Sequence, residues 1–75
     1  MERLSGFSGR EIMRVAERNG WVHRRTSGDH FVFDKANRIE NLSIPDHRSV
    51  AEGTVRGILA KMELTPSEFL SMARK

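Results

Sequence analysis

The chain has 75 residues with no cysteine, 37% hydrophobic residues, and 13 lysines and arginines against 10 acidic residues, for a formal net charge of +3. A chain this short can keep water from a handful of side chains but cannot enclose a deep cavity, so any function belongs on a surface or in a shallow groove. The lack of cysteine excludes a disulfide framework and thiolate metal sites, and it suits a reducing cytoplasm.

No apolar run is long enough to span a bilayer, and no basic start, apolar stretch and small-residue cleavage site mark a signal peptide. The expectation is therefore a soluble, cytoplasmic, single domain over residues 1–75. Ten of the 13 basic residues are arginine. A planar guanidinium fork suits phosphate, and the balance of charge favours an anionic partner.

Residues 1–7 carry Ser5-Gly6 and little periodicity, which predicts a loose lead-in. Ser8 then offers an N-cap with Glu11 in the capping-box position. Ile12, Val15, Ala16 and Asn19 recur at helical spacing, opposite Arg10, Arg14, Glu17 and Arg18, so an amphipathic helix of about three turns should close at Asn19-Gly20. Trp21 to Arg25 has strand propensity and pairs with Asp29 to Asp34 as a hairpin, with Thr26 to Asp29 as the connection. After the polar turn Asp34 to Asn37, the segment Arg38 to Ile44 reads as a third strand, in which Leu42 and Ile44 alternate with Asn41 and Ser43. Pro45 ends it, because it has no N–H for the ladder.

Asp46 to Glu52 is polar and irregular. Gly53-Thr54 opens a second helix whose Val55, Ile58, Leu59 and Met62 follow the i, i+3, i+4, i+7 pattern. Thr65-Pro66-Ser67-Glu68 is a second capping box and starts a short helix carrying Phe69, Leu70 and Ala73. The order predicts an α+β fold, a three-stranded antiparallel sheet with its helices on one face. That face should be the one bearing Phe31, Phe33, Leu42 and Ile44, leaving His30, Val32, Asn41 and Ser43 on the other.

His30 is the residue most suited to chemistry. It starts a strand beside a glycine turn and should point away from the core, and imidazole as a group titrates near neutrality, as proton transfer requires. His47, in the loop after strand three, is a possible auxiliary that either forms an acid/base pair with His30 or only packs its loop. Asp29 adjoins His30, but neighbours on a strand face opposite ways, so it reads as a turn residue. His23 reads as structural. No second histidine lies at metal-ligand spacing from His30, so neither a metal nor any other cofactor is expected. Arg24, Arg25, Lys35 and Arg38 should form a basic rim beside His30, or else a solvated edge that discourages aggregation. Arg56, near a helix start, could add a phosphate contact. No Ser-His-Asp order, P-loop or Gly-x-Gly-x-x-Gly pattern is present.

Several pieces match a known family in order and spacing: Ser8-Gly9-Arg10-Glu11, Asn19-Gly20-Trp21, Ser27-Gly28-Asp29-His30, Ile44-Pro45-Asp46-His47, Glu52 to Leu59, and Leu64-Thr65-Pro66-Ser67-Glu68-Phe69. On these, over Ser8 to Phe69, the chain resembles the HicA (YcfA-like) toxins of toxin-antitoxin pairs. It departs from their pattern at Phe31, where a second His or a Tyr or Arg is common, and in the polar Asn41 and Ser43. The resemblance implies an αβββα(α), double-stranded-RNA-binding-domain-like fold and ribosome-independent endonuclease cleavage of mRNA, which His30 without metal-ligand neighbours should carry out independently of metal. It also implies His30 as the catalytic histidine and a HicB-like antitoxin as partner, whose acidic surface should cover the His30 face and its basic rim. The alternative is a non-catalytic RNA-binding module that reads A-form shape and phosphates.

Overall fold

A computed structural model describes residues 3–74. Its elements run α1 (Gly9–Arg18), β1 (Val22–Ser27), β2 (His30–Asp34), β3 (Leu42–Pro45), α2 (Glu52–Met62) and α3 (Pro66–Ala73). The strands form one antiparallel sheet in the order β1-β2-β3. This is the α+β arrangement the hydrophobic pattern predicts.

The helix starts lie where the capping boxes place them. Ser8 Oγ accepts the Glu11 N–H at 3.1 Å and the Glu11 carboxylate accepts the Ser8 N–H at 2.8 Å, while Thr65 and Glu68 repeat the exchange at 3.1 and 2.8 Å. Each box satisfies two backbone donors that a helix start would otherwise leave open. α2 begins without side-chain help, since Ala51 occupies its N-cap position, and it ends at Glu63 in the left-handed region (φ 59°). It is held by its buried stripe of Val55, Ile58, Leu59 and Met62.

Phe31 pairs with Ile44 and Phe33 with Leu42 across β2 and β3, so all four share the inner face of the sheet. They join Ile12, Val15 and Ala16 of α1, the α2 stripe and Phe69 of α3 in one buried cluster. Each fully buried side chain of this size contributes about 1.5–3 kcal/mol of transfer free energy, which is what holds a domain without cross-links together.

Three local features differ from expectation. The lead-in is anchored where it is described: Leu4 is wholly buried, Phe7 packs edge-on against Phe69 with ring centroids 5.0 Å apart, and the Val50 N–H donates to the Phe7 carbonyl at 2.8 Å. Residues 1 and 2 lie outside the described residues. The β1–β2 connection is two residues, Gly28 and Asp29, rather than four. Gly28 takes φ +61°, as a type II′ hairpin turn asks of its first central position, and glycine does so without steric cost. β3 begins at Leu42, because Asn37 turns into the left-handed region (φ 68°) and Arg38 to Asn41 form a loop on which Ile39 is fully exposed.

Among the described residues, no helix is long and apolar enough to cross a membrane.

Candidate active site

His30 is the first residue of β2, with Ser27 and Pro45 as its cross-strand neighbours. It shares the outer face with Val32 and Ser43, opposite the helices, and its side chain is 46% exposed. Asp29 is the second residue of the turn and not a member of the strand, so the alternation that separates strand neighbours does not apply to it. Its carboxylate folds back and places Oδ1 2.9 Å from His30 Nδ1. The expectation that Asp29 serves only the turn is thus corrected: it is in direct contact with the imidazole.

The same carboxylate holds a second histidine. Asp29 Oδ2 lies 3.1 Å from His47 Nε2. Two backbone bonds bring the His47 loop to this spot: the Asp46 N–H donates to the Asp29 carbonyl at 2.6 Å, and the Gly9 N–H at the start of α1 donates to the His47 carbonyl at 2.9 Å. Only glycine allows that approach, because a Cβ at position 9 would overlap the Pro45 carbonyl oxygen and come within 3.2 Å of Asp46 Cα. Gly9 therefore sets where His47 stands, 38 residues away in the chain. Asp29 thus touches both imidazoles, one with each carboxylate oxygen.

The hydrogen bond from His47 is the chief cause that holds the Asp29 carboxyl below its ordinary value. The bond from its own backbone N–H and the nearby charge of both imidazoles add to it, and together they outweigh the opposing effect of desolvation. Asp29 is therefore ionised at neutral pH and can only accept hydrogen bonds, so both histidines face it with N–H groups. This leaves Nε2 of His30 and Nδ1 of His47 for other partners. A carboxylate behind an imidazole in this way fixes its tautomer and its orientation.

Arg10, at the start of α1, reaches the same end of the sheet. Its guanidinium lies 5.7 Å over the Phe31 ring and 3.6 Å from Asp46. No local sequence signal places Arg10 and Asp46 together at this end; the packing of α1 against the end of β3 does.

The basic residues are arranged otherwise than as one rim beside His30. A β-bulge at Arg24 places His23 on the inner face, opposite Phe33, and Arg25 on the outer face, opposite Val32. Arg25 is thus on the His30 face. Arg24 pairs with Asp34 at 2.8 Å, Lys35 lies 5.9 Å over the Trp21 ring, and Arg38 pairs with Glu63 at 2.7 Å. These three line one shallow groove of about 430 Å³ with Val22 and the exposed Ile39. The groove is at the far end of β2, roughly 13 Å from His30 at the rise of an extended strand. Arg56 pairs with Glu52 within α2, which packs on the inner face, so the sheet lies between it and His30. His23 packs its ring on the inner face, edge-on to Phe31 at 5.6 Å and against Phe33 at 5.2 Å. Among the described residues, no group of three or more His, Asp or Glu side chains is arranged to hold a metal ion.

Fold and site together define a small α+β domain that carries an exposed imidazole pair on an uncovered sheet face, with cations spread across that face and its far edge. A family model described as the HicA toxin of bacterial toxin-antitoxin matches residues 9–64. This span takes in α1, the whole sheet with both histidines, and α2. The chain belongs to the HicA toxin family, whose members act in toxin-antitoxin systems, so an antitoxin partner goes with it. No curated protein matches the chain.

Proposed function

We propose that this toxin is a metal-independent endoribonuclease that cuts mRNA, with His30 as the group that moves a proton at the scissile phosphate. The observation that carries this reading is the Asp29–His30 contact at 2.9 Å on an exposed sheet face. A protein that only reads RNA shape has no use for an imidazole backed by a carboxylate at that point. Cleavage through the RNA's own 2′-hydroxyl needs proton transfers and stabilisation of phosphate charge, and it needs no metal. Arg25 lies on the His30 face, where it can meet that charge. Arg24, Lys35 and Arg38 can hold the same RNA strand farther along, in the groove at the other end of β2.

The partner in this reading is a HicB-like antitoxin whose acidic surface covers the His30 face, which excludes RNA and speeds encounter with a basic toxin. Purified protein incubated with RNA in EDTA tests the proposal. The wild-type chain should cut and His30→Ala should be slower by a factor of about 100 or more. RNA bound but left intact by the wild-type chain would favour the non-catalytic module instead.

A further inference from the structure

We infer that His47 is the second proton-transferring residue of the site, acting as general acid while His30 acts as general base. This inference rests on the ribonuclease reading above. The geometry behind it is the single carboxylate that holds both rings, with Oδ1 of Asp29 2.9 Å from His30 Nδ1 and Oδ2 3.1 Å from His47 Nε2. Among the described residues, each imidazole keeps one nitrogen without a hydrogen-bond partner, and both are about half exposed, at 46% and 52%. A histidine that served only to pack its loop would not need to stand in solvent on the far side of the same carboxylate. The loop also has a packing anchor of its own: Val50, two residues before α2, is buried.

The two free nitrogens match the two proton transfers of the reaction. His30 Nε2 takes the proton from the 2′-hydroxyl as the 2′-oxygen forms its bond to phosphorus. The bond from phosphorus to the 5′-oxygen breaks, and His47 gives its Nδ1 proton to that oxygen. The products are a 2′,3′-cyclic phosphate and a 5′-hydroxyl, and the enzyme is left with His30 protonated and His47 neutral. Hydrolysis of the cyclic ester in the reverse sense, or exchange with water, restores the starting state. Asp29 from the turn touches both rings and Arg25 of β1 shares the His30 face, while beside the His47 loop stand Asp46, its neighbour in the chain, and Arg10 from α1. The last two are paired with each other at 3.6 Å. An acid and a base in one site give a bell-shaped dependence of rate on pH.

The test compares two substrates with wild-type protein, His47→Gln, His47→Asn and His30→Gln, all in EDTA and with folding checked by circular dichroism. One substrate is a dinucleotide, whose alkoxide leaving group needs a proton. The other is the 4-nitrophenyl ester of a uridine 3′-phosphate, whose phenolate leaves without one. Both His47 variants should lose about 100- to 10,000-fold on the dinucleotide, keep within roughly tenfold of wild type on the aryl ester, and lose one limb of the pH profile. His30→Gln should lose activity on both. If the His47 variants cut the dinucleotide at the wild-type rate with an unchanged pH profile, or fail equally on both substrates, His47 only positions Asp29 and the inference falls. Rescue of His30→Gln by the aryl ester, with none for the His47 variants, also overturns the assignment. A wild-type chain that cuts neither substrate overturns the ribonuclease reading itself, which is a separate failure.

Discussion

Gly9→Ala should destabilise the protein by about 1–3 kcal/mol, against the usual benefit of replacing a helical glycine with alanine. The new methyl overlaps the Pro45 carbonyl oxygen and lies 3.0 Å from the Pro45 carbonyl carbon and 3.2 Å from Asp46 Cα. All three are backbone atoms, so no flexible side chain can swing away, and α1 has to retreat from the end of β3 by about 1 Å because close-packed backbone yields little. That retreat stretches the 2.9 Å bond from the Gly9 N–H to the His47 carbonyl beyond useful range. Overpacking of this kind costs about 1–3 kcal/mol and the lost bond about 1 kcal/mol, offset by up to about 1 kcal/mol of better helix propensity. For a domain of this size the net loss lowers Tm by roughly 5–20 °C, readable by circular dichroism at 222 nm. Because the displaced loop carries His47, RNA cleavage should also fall in the folded variant. A Tm equal to or above that of the wild type would refute the claim that this contact is backbone-locked.

Phe33→Ala removes a wholly buried ring at the centre of the inner face and should cost about 3–5 kcal/mol, a large share of the stability of so small a domain; urea unfolding would show it as a lower midpoint. Reversing charge in the groove with Lys35→Glu and Arg38→Glu should weaken RNA binding several-fold at low salt and reduce its salt dependence, measured by fluorescence anisotropy, without changing the rate of cleavage of a dinucleotide too short to reach that end. Asp29 has a folded-state pKa below its unfolded value, so the stability it contributes is present above about pH 4 and lost as pH falls through the folded value. Asp29→Asn should therefore flatten the acid limb of a Tm-against-pH curve below about pH 4.

What could be read from the chain depended on how local its cause was. The two capping boxes and the 3.6-residue stripes of α1 and α2 act within a few residues, so Ser8, Glu11, Thr65 and Glu68 mark helix starts directly. The inner face of the sheet was legible for the same reason, since Phe31 and Phe33, and Leu42 and Ile44, keep the two-residue period. The bulge at Arg24 carries no such signal: one extra residue in β1 moves Arg25 to the outer face and separates it from Arg24. The third strand is shorter than its apolar pattern because Asn37 adopts a left-handed turn that many residue types could have avoided. His30 was legible as a candidate, but its environment was not. The contact with Asp29 depends on the turn being two residues long, which takes Asp29 out of the strand's alternation. The approach of His47 depends on α1 touching the end of β3 through the one residue that has no Cβ. Both are tertiary facts with no local trace beyond the glycines themselves.

The most direct measurement of the central claim is the chemistry of the ends left when the wild-type protein cuts a short labelled RNA in the presence of EDTA. Proton transfer by His30 to and from the RNA's own hydroxyl predicts a 2′,3′-cyclic phosphate on the upstream fragment and a 5′-hydroxyl on the downstream one, with both absent for His30→Ala. A 3′-hydroxyl and 5′-phosphate, or cleavage only when a divalent metal is restored, would contradict it.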